Sequence, residues 1–199
     1  VHMDRRYPDV PFTAPPRLAG NVTTGKHWAP ILGCADCHDQ DLGGAVLEDS
    51  WALGRLAAPN LTWKRKLYSD PELVRMIRYG IKRDGHGAWV MPSNAFYHLD
   101  DQTVADVIAY VRSVPEVDRD LPPTFAGPLA RLGVLTGKFD LVTNSIDRRA
   151  PRLGSSPRTT RLQQGRYIAT VACGECHGTN QEGYPDDGVP NLVVAKAYT

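Results

Sequence analysis

The chain contains no run of about 20 apolar residues, the length a membrane-spanning helix requires, so residues 1–199 hold no such span. It shows no secretory leader, because the opening VHMDRRYPDV is short and polar. That start reads either as a processed end or as the point after a removed leader. An excess of one charge is missing too: 23 Lys+Arg against 22 Asp+Glu leave a net +1. With 42% hydrophobic residues, the composition excludes a disordered chain or a strongly nucleic-acid-binding one. It bounds the 199 residues to one medium domain or two small ones. Cysteine is scarce, with four in all, and methionine scarcer, with three. Gly (18) and Pro (16) are plentiful, which predicts long loops and sparse regular structure.

The four cysteines form two pairs, each followed by histidine: Cys34-Ala35-Asp36-Cys37-His38 and Cys173-Gly174-Glu175-Cys176-His177. C-x-x-C-H is the attachment signature of c-type haem. Its spacing follows from its chemistry. Two thiols add across the two vinyl groups of the porphyrin, and the adjacent His supplies an axial nitrogen to iron. A zinc site built from two C-x-x-C pairs would need them about 15–20 residues apart, and here more than a hundred intervene. A thioredoxin-like site needs a βαβ setting, and neither pair follows a convincing strand. A disulfide scaffold is disfavoured by the long chain and the tight pairing. Two such motifs, using every cysteine present, imply two covalently attached haem c groups, with His38 and His177 as proximal ligands.

Aligned on these motifs, the chain is a repeat. Gly25-Lys26-His27 matches Gly165-Arg166-Tyr167, with one extra residue before the first motif. Pro59-Asn60-Leu61 matches Pro190-Asn191-Leu192, and Lys66-Leu67-Tyr68-Ser69 matches Lys196-Ala197-Tyr198-Thr199. After Ser69 the first copy continues with a predicted helix. Ser69 and Glu72 form a capping box, Pro71 suits the first turn, Leu73, Met76, Ile77 and Gly80 share a face, and Gly80 suits the C-cap. A Gly-rich loop with Met91-Pro92 follows. Then comes a helix capped by Asp100 or Asp101, with Val104, Val107, Ile108 and Val111 as its stripe, ended by Pro115. In the segment joining the copies, residues 128–136 predict a short helix with Leu129, Leu132 and Leu135 inward, in a linker packed over both domains. A membrane-surface or partner-docking element is the other reading. Thr160 and Gln163 cap the first helix of copy two.

The order helix, C-x-x-C-H, Pro-Asn-Leu, helix, Met-Pro loop, helix resembles the class I cytochrome c domain over most of residues 20–115. GCADCHDQDLGG, APNLT, MPSNAFYHLDDQTVADVIAYVRS and GRYIATVACGECHGTN carry the resemblance. More narrowly, they resemble dihaem cytochrome c subunits that serve membrane-bound alcohol, aldehyde and sugar dehydrogenases. The resemblance implies an all-α fold of two tandem cytochrome c-like haem domains, the second incomplete at the C-terminus. The expected organisation is an N-terminal extension (1–19), domain 1 (20–115), a linker (116–160) and a partial domain 2 (161–199). The repeat sets Thr199 at the position of Ser69, and no methionine follows His177. The expectation is therefore a longer natural chain with the distal ligand of the second haem beyond residue 199.

For the distal ligand of the first haem the residues offer Met91, Met76, Met3, His27, His86 and His98. Met91 precedes a proline, which biases it to extended backbone, and the resemblance places the ligand there. His/Met ligation leaves no open iron position, so the implied chemistry is outer-sphere electron transfer without catalytic residues. The implied partners are a dehydrogenase or quinol-oxidising complex as donor and an oxidase or another cytochrome as acceptor. A free shuttle of the cytochrome c4 group, a dihaem peroxidase-like enzyme with one open iron and a non-catalytic subunit of a large respiratory or photosynthetic assembly are the competing readings. Haem attachment of this kind implies the periplasm, anchored or not to the outer face of the cytoplasmic membrane. Lys64, Arg65, Lys66, Arg75, Arg78, Lys82 and Arg83 read as a solvated basic face, some of them holding haem propionates, or as a steering patch for an acidic partner. Asp186 and Asp187 hint at the opposite polarity in copy two.

Overall fold

The computed structural model describes residue 3 and residues 5–7, 19–178 and 181–183. The repeat matches at Pro190, Asn191, Leu192 and residues 196–199, and the acids Asp186 and Asp187, lie outside the described residues.

Two helices far apart in sequence frame the first domain. Helix α1 (Val22–Ile31) is capped by Asn21, which accepts from the Thr24 amide. A second short helix, α2 (Cys34–His38), follows directly, and α3 (Leu61–Lys64) and α4 (Asp70–Tyr79) come after the Pro59-Asn60 turn. The four-residue α5 (Ser93–Phe96) leads into α6 (Asp101–Ser113), capped by Asp100 through the Thr103 amide at 2.7 Å. Helices α1 and α6 form the broadest helix pairing in the fold. They cross backbone to backbone. A Cβ on Gly25 would stand 1.9 Å from the Asp106 carbonyl oxygen, and one on Gly20 2.2 Å from that of Ala105. The core below the crossing holds Leu32, Val104, Val107 and Ile108 together with Val74 and Leu99.

Helix α4 has the expected Ser69–Glu72 capping box and left-handed Gly80 cap, but its most buried positions differ from the expected ones. Val74 and Arg78 are buried, Leu73 and Ile77 pack at the core's edge, and Met76 is half-buried. Arg78 is only 3% exposed: it pairs with Asp101 at 2.6 Å and donates to the Leu99 carbonyl at 2.8 Å. Of the basic run, Arg65 donates to the Val111 carbonyl, Lys66 pairs with Glu116, and Arg83 reaches the Leu67 carbonyl and Glu72. Arg78 is buried, while Lys64, Lys66 and Arg83 are exposed, so the solvated face expected of the run holds for part of it.

The fold is largely helical but not all-α. Strands β1 (Ala45–Ser50) and β2 (Gly54–Ala58) form an antiparallel hairpin, and β3 (Phe125–Ala126) adds to β2. The short runs at Val46-Leu47 and Leu56 lack helical spacing, and Gly54 at φ 96° closes the turn, a backbone conformation that glycine takes without a Cβ clash. Helix α7 (Pro128–Leu135) forms where expected, with the opposite face inward. Leu129, Leu132 and Leu135 are exposed, whereas Ala130 and Val134 line an apolar groove against Leu53 and Leu56. Phe139 lies against Gly133, whose missing Cβ makes the room. Backbone bonds from Gly127 to Leu53 and from Leu129 to Ala52 hold this orientation.

Beyond the short α8 (Val142–Ser145), the second copy begins with α9 (Arg161–Ile168), opened by the expected Thr160–Gln163 capping box. It does not stand apart from the first copy. Tyr167 is 1% exposed and, with Val171, joins the core of Leu99 and Val104. The Tyr167 hydroxyl donates to Asp100 Oδ2 at 3.0 Å and accepts from the Asp100 amide at 3.2 Å. Arg158 pairs with the same carboxylate at 2.9 Å and lies 3.9 Å over the Tyr167 ring. Burial by itself would raise the Asp100 pKa, but hydrogen bonds from Thr103, Tyr167 and Arg158 outweigh it and hold the carboxyl below its usual range. The resulting stabilisation is whole above about pH 4, the unfolded carboxylate value, and is lost as pH falls through the lowered folded one. Asp100→Asn is therefore expected to be less stable than the parent at pH 7, the gap closing toward pH 2. Urea melts across that range check it, and a gap independent of pH would refute it.

Candidate haem site

Gly33, at φ 69°, turns the chain from α1 into α2 in the left-handed conformation that disfavours a side chain. The five-residue α2 then presents Cys34, Cys37 and His38 together. None of the four cysteines is in a disulfide. Cys34 packs against the core, and burial pushes its thiol up to about 12, which keeps it protonated.

His38 carries the clearest sign of preparation for a metal. Its Nδ1 lies 2.9 Å from the Pro59 carbonyl oxygen, which makes Nδ1 the protonated nitrogen and leaves Nε2 as the basic one. Burial lowers the His38 pKa, and the Pro59 bond opposes that shift in part. A neutral imidazole with a fixed tautomer is the form that ligates iron.

The Pro59 carbonyl is itself held in place. Asn60, 5% exposed, caps α3 through the Thr62 amide at 2.9 Å and accepts from the Thr62 hydroxyl at 2.6 Å. Its amide group donates to the carbonyls of Val117 and Arg119. Arg119 bonds Asp39 and Asp41, just past His38, at 2.9 and 2.7 Å, and the Gly44 carbonyl at 2.9 Å. Residues 117–119, expected in the linker, thus brace the loop leaving α2. Sequence reasoning missed Asn60 and Arg119. The matching Pro-Asn-Leu of the two copies was a signal for Asn60; nothing marked Arg119.

Of the six distal candidates, Met91 alone packs into the cluster that holds Cys34. His27 is exposed on α1. His86 faces Asp84 at 3.1 Å and accepts from Arg6 at 3.3 Å. His98 Nδ1 accepts from the Leu153 amide at 3.3 Å. Met3, expected in a loose terminus, is tied through its carbonyl to the Trp89 indole at 3.1 Å. Cys34, Cys37, His38 and Met91 therefore fit a covalently attached haem: two thiols and an oriented imidazole on one short helix, with a thioether against the same core.

The second motif follows a π-helical turn (Ala169–Cys173) and forms α10 (Gly174–His177). The turn lies against α5, directly after Met91-Pro92. Cys173 is half-buried and Cys176 exposed.

A short helix bearing two cysteines and a histidine, packed on α1 and beside β1, is the arrangement that covalent c-type haem attachment requires. Residues 22–115 match the family described as Cytochrome c. The match supports a class I c-type cytochrome domain in that segment, and with it covalently bound haem c and haem-based electron transfer. A search of curated proteins found no match for the chain.

Proposed function

We propose that the chain is a dihaem c-type cytochrome working by outer-sphere electron transfer, as a subunit of a dehydrogenase or respiratory complex in the periplasm. The observation that carries the reading is the second C-x-x-C-H, whose first cysteine ends the π-helical turn packed against α5 and whose remainder forms α10. When bound, each haem supplies a one-electron iron couple.

The chain's own residues do the rest. Cys34 with Cys37, and Cys173 with Cys176, hold the groups covalently. His38 keeps its proton on Nδ1 against Pro59, so Nε2 stays available. Met91 would supply a thioether ligand to the first iron, and Leu73 and Ile77 at the core's edge would keep water from it. Tyr167, Arg158 and Asp100 fix the second motif relative to the first. The donor is a dehydrogenase or quinol-oxidising complex, the acceptor an oxidase or another cytochrome. Completion of haem attachment outside the cytoplasmic membrane supports the periplasmic placement.

Mass spectrometry of the denatured protein, made in a host that attaches haem c, is expected to show the chain plus two haems. Loss of the second haem alone in a Cys173→Ala, Cys176→Ala double variant would assign it to α10. A single haem on the parent chain would refute the dihaem reading and leave the cytochrome c domain standing.

A further inference from the structure

The loop that leads to Met91 is closed by a residue from outside the first domain. Its ends are Gly80, the left-handed cap of α4, and Ala88, whose amide donates to the Gly80 carbonyl at 2.6 Å. Between them Ile81 and Gly87 form an antiparallel bridge. Thr143, in α8, packs against this closure and is 0% exposed. Its hydroxyl lies 3.0 Å from the Gly80 carbonyl oxygen and 3.3 Å from that of Ala88, so its single proton serves both ends of the loop. Two absent side chains make the slot: a Cβ on Gly80 or on Gly87 would stand 2.9 Å from Thr143 Oγ1. The neighbouring Val142 amide donates to the Trp89 carbonyl at 3.2 Å. The backbone just ahead of Met91 is therefore held at Ala88 and at Trp89 by one turn of chain that lies beyond residues 22–115.

That turn is anchored in its own right. Arg148 donates to the Thr143 carbonyl at 2.6 Å, and the Arg148 carbonyl accepts from the hydroxyl of Tyr97, the C-cap of α5, at 3.2 Å. Asn144 accepts from the Tyr7 hydroxyl at 2.5 Å, and the Tyr7 amide donates to the Gly85 carbonyl within the loop. Ala88 precedes Met91 and Tyr97 follows it, so the chain is tied to the same turn on both sides of the methionine. A valine would fill the Thr143 site with the same shape and without the cost of burying a polar group. What the hydroxyl adds is the bridge between Gly80 and Ala88. A thioether is a weak acceptor, and the groups that orient such a ligand decide how firmly it stays on a metal.

We propose that Thr143 is a positioning residue for the first iron: by bridging the Gly80 and Ala88 carbonyls it holds Met91 where its thioether can ligate. The proposal rests on the reading of Met91 as the distal ligand and extends it to a residue of the segment between the two motifs.

The test uses the haem-loaded chain with Thr143→Val and Thr143→Ser, read by optical titration of the reduced protein with carbon monoxide and by redox titration. Carbon monoxide competes with the thioether, so its apparent affinity rises with the fraction of molecules in which Met91 is off the iron. Thr143→Val should tighten that affinity by about tenfold, the scale of one buried hydrogen bond. It should also lower the reduction potential, in the direction of Met91→Ala. Thr143→Ser keeps the hydroxyl and should bring both readings back toward the parent's. A role confined to folding would lower the urea midpoint and leave affinity and potential unchanged. Arg148→Gln releases the Thr143 carbonyl and should shift both readings the same way; it carries the test if Thr143→Val takes up no haem. Unchanged affinity and potential in these variants, or a Thr143→Ser protein that behaves like Thr143→Val, would overturn the proposal. If Met91→Ala also leaves both readings unchanged, the ligand reading falls with it. If Met91→Ala shifts them and Thr143→Val does not, only the role of Thr143 falls.

Discussion

Met91→Ala is expected to open the first iron to carbon monoxide in the reduced protein and to lower its reduction potential. A thioether stabilises the reduced iron relative to nitrogen or water ligands, and axial ligation as a whole spans about 0.8 V. A fall on the order of 0.1 V or more is the expected scale. The expectation rests on placement: among the described candidates, Met91 alone shares the core with Cys34. His86 and His98 are engaged elsewhere, by Asp84 and Arg6 and by the Leu153 amide. His86→Ala and His98→Ala should therefore leave carbon monoxide binding and potential as they are. Optical titration of the three variants checks this. An unchanged spectrum in Met91→Ala, with a changed one in either histidine variant, would move the ligand.

Gly25→Val should be the most destabilising single change in the first domain. The added Cβ would lie 1.9 Å from the Asp106 carbonyl oxygen and 2.8 Å from the Tyr110 Cβ. No rotamer relieves a clash with backbone, so α1 and α6 must separate and expose Ala29, Leu32 and Val107. Overpacking usually costs about 1–3 kcal/mol; a helix pairing forced open should reach the top of that range, out of a total stability of about 5–15 kcal/mol. Valine at Gly165, the same place in the repeat, meets open space and should shift the urea midpoint little. Equal losses at both positions would show that the crossing does not control the effect.

Much of this was legible because its cause is local. The capping boxes at Ser69–Glu72 and Thr160–Gln163 and the cap at Asp100 formed as expected, since a cap needs only the next three residues. The stripe of α6 was legible because Val104, Val107 and Ile108 recur at one spacing. Features decided by distant partners were not. Leu129, Leu132 and Leu135 recur every three residues on α7, yet Ala130 and Val134 define an equally regular face, and the hairpin chose it. Arg78 looked like one cation in a basic run; only the fold brings Asp101 and the Leu99 carbonyl to it. At the site, the cysteines and His38 could be read from their motif, but the support of Pro59 through Asn60 and Arg119 comes from residues more than fifty positions away. Tyr167 gave no sign that it would enter the first copy's core.

Among the described residues no strand pairs with the outer edge of β1, since the strand order is β1-β2-β3. Val46 and Leu47 on that strand, and Trp51 at the hairpin tip, are 41%, 39% and 83% exposed. A flat edge of this composition would invite strand-to-strand aggregation between chains. The register shifts between Val46 and Glu48, and Glu48 and Asp49 follow at once. A bulge twists the edge away from a straight partner, and two adjacent acids repel a second copy of themselves. The kink and its two carboxylates thus act as a safeguard for solubility. An otherwise conservative replacement of Glu48 and Asp49 by valine and threonine would be felt in the test tube as turbidity well before it was felt at the iron.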